Sequence, residues 1–135
     1  MQLDTVARML SENDLLVRAV LPLDGRATWD VVHALRFRGW LCENLGIPMP
    51  DDLRMRVDSI ATETFTSPRY AQIHLAVADL LTLSAEIAAA TALSSTIDWS
   101  VSRPYFKPNH RHLGDWALFM LAHDAWHLGR ASTHR

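Results

Sequence analysis

The stretch "LGDWALFMLAHDAWHLGRA", residues 113–131, decides the fold, because its large side chains recur at the spacing of one helix face. Trp116, Met120, His123 and His127 follow one another at intervals of three or four positions, so they share one side of an α-helix. A helix this apolar needs other elements to cover it. The two imidazoles on its buried side are either hydrogen-bonded core residues or ligands of a metal ion.

Two more helices are predicted before position 50. Apolar residues at intervals of three, four and seven positions predict a first helix over residues 3–20. The second helix opens at "ATWD" (27–30) and closes at "ENLG" (43–46). Thr28 is the expected N-cap of this helix, and Gly46 is its expected C-cap.

A third helix is predicted from "TSPRY" (66–70) to about "TALSST" (91–96). Ser67 is expected to cap it, with Pro68 in its first position. No segment shows the strict two-residue alternation of a β-strand. Links of about 20 residues flank this helix on both sides, long enough to travel the length of a bundle. We therefore expect one all-α domain over residues 1–135, a four-helix bundle. A long crossover between helices 2 and 3 allows these two helices to run parallel, and the order is then up-down-down-up.

Composition excludes several classes of protein. The chain has 135 residues, of which 49% are hydrophobic and 21% charged, and this is typical of a globular domain. A formal net charge of −2 does not favour nucleic acid or an anionic membrane. The single cysteine, Cys42, allows no internal disulfide, and we expect it to be a buried core residue. The start lacks the pattern of a signal peptide, and no apolar run reaches the ~18 residues that spanning a bilayer needs. We therefore expect a cytoplasmic protein with no membrane or nucleic-acid partner.

A third histidine completes a candidate metal site. His33 lies about a turn and a half into the second helix, and His127 lies about a turn before the fourth helix ends. In the expected topology these two helices are antiparallel, which brings both residues to the same height. His123 and His127 project from one face, one turn apart. Three neutral imidazoles would leave a divalent ion an open coordination position, as in catalytic sites.

Two motifs resemble a known family. "WDVVH" (29–33) and "LAHDAWHLGR" (121–130) are similar to motifs of the DinB-like superfamily of metal-binding four-helix bundles. Its members carry one histidine on helix 2 and an H-x3-H pair on helix 4, often trailed by glycine or arginine. The resemblance implies zinc, nickel, iron or manganese on His33, His123 and His127, and a homodimer. Characterised relatives are mostly thiol-dependent enzymes, such as bacillithiol S-transferases and the mycothiol-dependent maleylpyruvate isomerase.

These observations predict a metal-dependent enzyme that acts on a small molecule. A thiol-dependent S-transferase or detoxifying enzyme, using a low-molecular-weight thiol, fits the resemblance best. It requires a cationic rim, for which Arg130, Arg36 and Arg69 are candidates. A metal-dependent hydrolase is the alternative and requires a base beside the bound water. A non-catalytic bundle that binds metal or a small ligand is the alternative of another class, and there a side chain would block the open position.

Three further residues are candidates for the site. Trp29 lies one turn before His33 and is expected to wall the site on its open side. Arg130 follows His127 by three positions and either grips a substrate carboxylate or lies in solvent at the helix end. His74, on the third helix, is either a proton shuttle or substrate contact, or an ordinary surface histidine.

Two aspartates and one loop need separate interpretation. Asp30 and Asp124 each precede a predicted ligand by three positions, and either could accept the second ring N–H of a histidine. Helical geometry makes that contact awkward within one helix. Relatives often have glutamate where Asp124 stands. The segment "SRPYFKPNHRH" (102–112) is expected to be an ordered surface loop, at the far end from the metal unless it folds back, with His110 and His112 not ligands.

Overall fold

The computed structural model describes residues 2–18, 25–93 and 97–133. These residues form an all-α fold without β-strands, which confirms the predicted class. The helices are α1 (Gln2–Arg18), α2 (Gly25–Leu45), α3 (Asp51–Asp58), α4 (Ile73–Leu93) and α5 (Leu113–Thr133), with a 3-10 helix at Pro68–Tyr70. α1 and α2 each pack against both α4 and α5. Leu10, Leu35, Leu80 and Leu121, one from each long helix, are buried in the core between them.

Of the two predicted ends of α2, only the C-terminal end agrees with the structure. Gly46 follows the last residue of α2 with φ 71°, a left-handed conformation that suits glycine and ends the helix as predicted. The helix begins at Gly25, so Thr28 lies inside the first turn and is not the N-cap. Thr28 precedes the apolar pattern, as an N-cap would, but the backbone is helical for three residues before it.

The start of α4 also differs from the prediction. Ser67 and Pro68 open the 3-10 helix, where Ser67 Oγ accepts the backbone N–H of Arg69, and α4 starts only at Ile73. Tyr70 shows why the chain bends here, because it is buried and its hydroxyl donates to Asp79 at 2.7 Å. In one continuous helix nine positions would separate these residues by about 13 Å along the axis.

The short helix α3 was not predicted. Its sequence, "DDLRMRVD", is mostly polar, and only Leu53 and Val57 are buried. It packs against α2 at Gly39, where a Cβ atom would lie 2.7 Å from a Val57 methyl carbon. Arg56 then joins α3 to α4 through Asp79, with Nε 2.8 Å from the carboxylate. The link between α2 and α4 is therefore folded against the bundle.

One stretch of α4, Ile73–Ala90, is long and apolar enough to cross a membrane by length and composition alone. This finding differs from the sequence-based expectation that no apolar segment of the chain is long enough to span a bilayer. Ala76, Leu80, Leu83 and Ile87 on the same stretch are fully buried in the protein core. A core helix of a water-soluble protein has the same composition, so the absence of a membrane partner stays a prediction.

Candidate metal centre

The structure brings together the three histidines that the sequence singled out. His33 lies on α2, and His123 and His127 lie on α5. The ring centroids of His33 and His127 are 4.1 Å apart, those of His123 and His127 are 4.6 Å apart, and those of His33 and His123 are 5.2 Å apart. One ligand nitrogen from each residue lies within 4.8 Å of the others. We call this group the histidine cluster.

Burial keeps the histidine cluster in a form that can bind a cation. His33 and His127 are 6% and 4% exposed, and His123 is half-buried. Burial, helped by the neighbouring imidazoles, lowers the pKa of His33 to about 3. Burial also lowers the pKa of His123, with smaller contributions from His127 and Lys107. His33 and His123 are therefore neutral at pH 7, and neutral imidazole is the form that donates a lone pair to a metal.

Each ring of the histidine cluster has a buried nitrogen without a hydrogen-bond partner. These atoms are Nδ1 of His33, Nδ1 of His123 and Nε2 of His127. A buried polar atom without a partner costs about 1–3 kcal/mol, and native proteins leave few of them. Three such nitrogens on converging rings fit a divalent cation, because imidazole nitrogen suits zinc, nickel and iron.

Asp30 orients one of the rings. It is fully buried on α2, and Nδ1–H of His127 donates to its Oδ1 at 2.8 Å. This pairing assigns the ring proton to Nδ1 and leaves the Nε2 lone pair for a ligand bond, the usual arrangement of a carboxylate behind a metal-binding histidine. Arg130 donates to both carboxylate oxygens of Asp30, from Nε at 3.0 Å and from a terminal nitrogen at 2.6 Å. Asp30 therefore accepts a hydrogen bond from a histidine on the facing helix. The unfavourable geometry of the same contact within one helix does not arise.

Asp124 has a different environment from Asp30. It is buried, and its Oδ2 lies 3.6 Å from a terminal nitrogen of Arg38, which is itself 1% exposed. Arg38 also donates to the hydroxyl of Ser84, so these three side chains join α2, α4 and α5. Burial raises the pKa of Asp124 to about 7. Asp124 therefore faces an arginine instead of a histidine ring.

Aromatic rings cover one side of the histidine cluster. The ring of Trp29 lies 5.2 Å from that of His33 and 5.4 Å from that of His127. Its expected place on the open side of the site stays a prediction. The Trp29 indole N–H donates to the backbone carbonyl of Thr64 at 2.8 Å. Phe65 packs still closer, with its ring 4.2 Å from that of His33. Sequence reasoning missed Phe65, because an isolated aromatic residue between two helices shows no pattern.

The structure does not identify Arg130 or His74 as a substrate contact. Arg130 binds the carboxylate of the protein's own Asp30, and its guanidinium also lies 4.5 Å from the ring centre of Trp126. His74 is exposed on α4. The described ring contacts of the histidine cluster do not include it. Neither position identifies a catalytic group, and the roles of both residues stay predictions.

One positive charge near the histidine cluster comes from a loop. Arg36 lies 3.6 Å from Asp58, and Arg69 is exposed beside α3. The role of either residue in a cationic rim stays a prediction. Lys107 is exposed and close enough to His123 for its charge to lower the pKa of that ring. Sequence reasoning missed it because the segment 102–112 was expected at the far end of the bundle.

The segment 102–112 folds back toward the histidine cluster. Its His110 ring stacks on Phe119 at 4.4 Å, and Phe119 in turn stacks on His123 at 6.0 Å. Among the described residues, the group able to hold a metal ion includes neither His110 nor His112. That neither residue is a metal ligand stays a prediction.

Known proteins provide no guide to this site, so it is interpreted from its own geometry. No protein-family model matches the chain, and no curated protein or solved structure matches it. The resemblance to the DinB-like superfamily rests on the residues quoted above.

Proposed function

We propose that this chain is a divalent-metal-dependent enzyme that acts on a small molecule, with His33, His123 and His127 as metal ligands. One observation carries the proposal: each of the three converging rings has a buried nitrogen without a hydrogen-bond partner. Three protein ligands are typical of catalytic sites, because they leave a position for a substrate or water. Zinc, nickel, iron and manganese are the candidate ions.

The proposal includes the up-down-down-up bundle of the DinB-like superfamily. Side-chain pairs support an antiparallel α2 and α5. Asp30 contacts His127 and Arg130, whereas Arg38, farther along α2, lies beside the earlier Asp124 on α5. Homodimer formation and a cytoplasmic location, which the resemblance and composition indicate, belong to the same proposal, and light scattering of the purified protein tests the dimer.

The residues around the histidine cluster have distinct roles in this proposal. A divalent cation held there would supply Lewis-acid chemistry, making a thiol or a water molecule acidic enough to become a nucleophile. Asp30 keeps the proton of His127 on Nδ1, and Arg130 holds the Asp30 carboxylate in place. Trp29 and Phe65 exclude water from one side of the cluster.

A thiol-dependent S-transferase or detoxifying enzyme is the proposed reaction class. The resemblance favours it, and Lys107 offers a positive charge near His123 that could attract an anionic low-molecular-weight thiol. In such a transfer the sulfur forms a bond to an electrophilic carbon, the thiol proton goes to solvent, and the leaving group departs with its bonding pair. A hydrolase is less favoured, because the nearest carboxylate, Asp30, is already engaged by His127 and Arg130.

One observation favours the non-catalytic alternative. The ring of Phe65 lies 4.2 Å from that of His33 and covers the cluster. A covered cluster is compatible with a protein that only stores or binds metal. Turnover would separate the two classes. We expect the zinc-loaded protein to consume a low-molecular-weight thiol in the presence of an electrophile, and the chelated protein to lose that activity.

Metal analysis tests the proposed ligands. We expect the purified protein, after incubation with zinc and desalting, to hold about one ion per chain. The triple variant H33A/H123A/H127A should hold almost none. The matched control, H74A/H110A/H112A, removes the same number of imidazoles outside the cluster and should bind zinc as the unaltered protein does. Equal zinc in both variants, with helical circular dichroism retained, would contradict the proposal.

A further inference from the structure

A cavity of about 320 Å³ lies beside the histidine cluster, between α2 and the segment that leads into α4. This is near the lower end of the volumes of about 300–1,000 Å³ that small-molecule sites occupy. Apolar side chains form most of its lining. They are Trp29, Val32, Phe65, Tyr70 and Ala71.

Two of these aromatic rings separate the cavity from the histidine cluster. Trp29 and Phe65 line the cavity and also contact His33, with ring centroids 5.2 Å and 4.2 Å away. A molecule in the cavity would therefore lie one aromatic layer away from the cluster. Movement of a single side chain in that layer could connect the two spaces.

Phe65 is the side chain in that layer with a strained backbone. Its φ is 52°, in the left-handed region that residues with a bulky side chain rarely adopt. Hydrogen bonds hold this conformation, because the Phe65 N–H donates to the carbonyl of Ala61 at 2.6 Å and the Ala61 N–H donates to Thr66 at 2.9 Å. Strain of this kind clusters at ligand sites and switch regions.

The lining limits the chemistry of a ligand. None of the lining residues, all of which the structure describes, carries a charge. The hydroxyl of Tyr70 donates to Asp79, and Ser67 Oγ accepts from the backbone of Arg69, so hydrogen bonds already engage both groups. Thr28 and Thr66 add hydroxyl groups. An anion would lose its hydration here without gaining a cation, whereas an uncharged aromatic or aliphatic molecule would gain contact area.

We propose that this cavity is the substrate pocket of the enzyme, that it takes a small uncharged molecule with an aromatic or aliphatic body, and that Phe65 turns aside to let this molecule reach the histidine cluster. A reaction of the bound molecule at the histidine cluster rests on the proposed function, whereas binding in the cavity does not. It also explains how Phe65 can cover the cluster in a catalytic protein.

A matched pair of ligands tests the pocket. Benzyl alcohol and benzoate share one ring and differ in charge. Titrated into the zinc-loaded protein and followed by ¹H–¹⁵N NMR, benzyl alcohol should shift the indole N–H of Trp29 and the amide of Ala71. Benzoate should bind at least about tenfold more weakly. Equal binding of both ligands, or shifts that avoid the cavity, would overturn the inference.

Two substitutions place the ligand. Ala71→Trp fills the exposed end of the cavity and should abolish benzyl alcohol binding while zinc affinity, measured by calorimetry, stays unchanged. Ala78→Trp is the matched control, because Ala78 lies on α4 and does not line the cavity. Benzyl alcohol binding that survives Ala71→Trp would overturn the assignment.

A third substitution tests Phe65. Phe65→Gly removes the ring and keeps the backbone conformation, because glycine adopts a positive φ readily. If the ring covers the cluster about nine-tenths of the time, 2-mercaptoethanol should bind the cobalt-loaded variant about tenfold more tightly than the unaltered protein. The thiolate-to-cobalt absorption band measures this affinity. Phe65→Leu, which keeps the bulk, should resemble the unaltered protein, and equal affinity in all three would contradict the gating role.

The two proposals fail in different ways. Zinc binding without benzyl alcohol binding would overturn the pocket and leave the metal centre standing. Benzyl alcohol binding that Ala71→Trp removes, in a chain that never retains zinc, would support the pocket and overturn the proposed function.

Discussion

At the scale of single residues, Asp30 positions one ring of the histidine cluster, that of His127. Its carboxylate accepts hydrogen bonds from two side chains of α5, His127 and Arg130. The fork of Arg130 also fixes the plane of the carboxylate, and this fixes the direction in which Nδ1 of His127 must point. The bond to Asp30 raises the pKa of Arg130, so the guanidinium stays charged in this contact.

We expect Asp30→Asn to weaken zinc binding by about 10–100-fold, because the amide keeps the shape of the side chain but loses the charge that orients His127. Calorimetric titration with zinc measures the change. Asp58→Asn is the control, since Asp58 pairs with Arg36 and should leave zinc affinity unchanged. Unchanged affinity in Asp30→Asn would show that the ring of His127 is oriented without this carboxylate.

Cys42 is expected to be chemically inert in the folded protein. It is fully buried, and burial raises its pKa from 9.0 to about 12. The folded thiol thus keeps its proton where an unfolded thiol releases it, so folding stability falls as pH rises above 9. Alkylation by iodoacetamide between about pH 7 and pH 10 should be at least about a hundredfold slower in the native protein than in urea. Mass spectrometry measures the labelling, and rapid labelling of native protein would contradict this.

At the scale of elements, the long helices could be predicted and the pieces between them could not. The predicted helix over residues 113–131 corresponds to α5 (Leu113–Thr133), because its apolar side chains repeat over about five turns. The end predicted for the first helix, 19–20, lies outside the described residues. The helix α3 has 8 residues and only two buried apolar side chains, too few to show a period.

The candidate site divides in the same way. The spacing of His123 and His127 within one helix, the matching height of His33 in the supposed topology, and the family resemblance together indicated the cluster from the sequence. The contact of Asp30 with His127 depends on how two helices are rotated and shifted against each other, which no spacing along one chain specifies. Phe65 reaches His33 from a segment between helices, and such contacts depend on tertiary packing alone.

Two glycines in helices should respond oppositely to alanine. At Gly39 the added Cβ would meet a Val57 methyl carbon at 2.7 Å, so we expect Gly39→Ala to destabilise the protein by about 1–3 kcal/mol despite better helix propensity. At Gly129 nothing lies within 4 Å of the added Cβ, so Gly129→Ala should stabilise by about 0.5–1 kcal/mol. Urea unfolding of the metal-free protein measures both values. Destabilisation of equal size at both positions would show that the close approach of α3 to α2 is not the cause.

At the scale of the whole molecule, metal binding should appear as stability, because the ligands come from two different long helices. An ion that binds only the folded chain, present at about a thousand times its dissociation constant, adds about 4 kcal/mol. For a domain of this size we expect the melting temperature to rise by about 10 °C. Differential scanning calorimetry with zinc measures the rise, and the H33A/H123A/H127A variant should show none. An equal rise in that variant would place the zinc elsewhere.

Two polar contacts join α2 to α5, that of Asp30 with His127 and that of Arg38 with Asp124. They limit where the chain can change in length. Arg38 follows Asp30 by eight positions, about 12 Å along the helix, and each of the two meets its own partner on α5. One residue inserted between them would rotate everything beyond it by about 100°, so at most one contact could survive. Evolutionary insertions and deletions should therefore be found in the connecting segments, such as residues 97–112, and be rare inside this interval of α2.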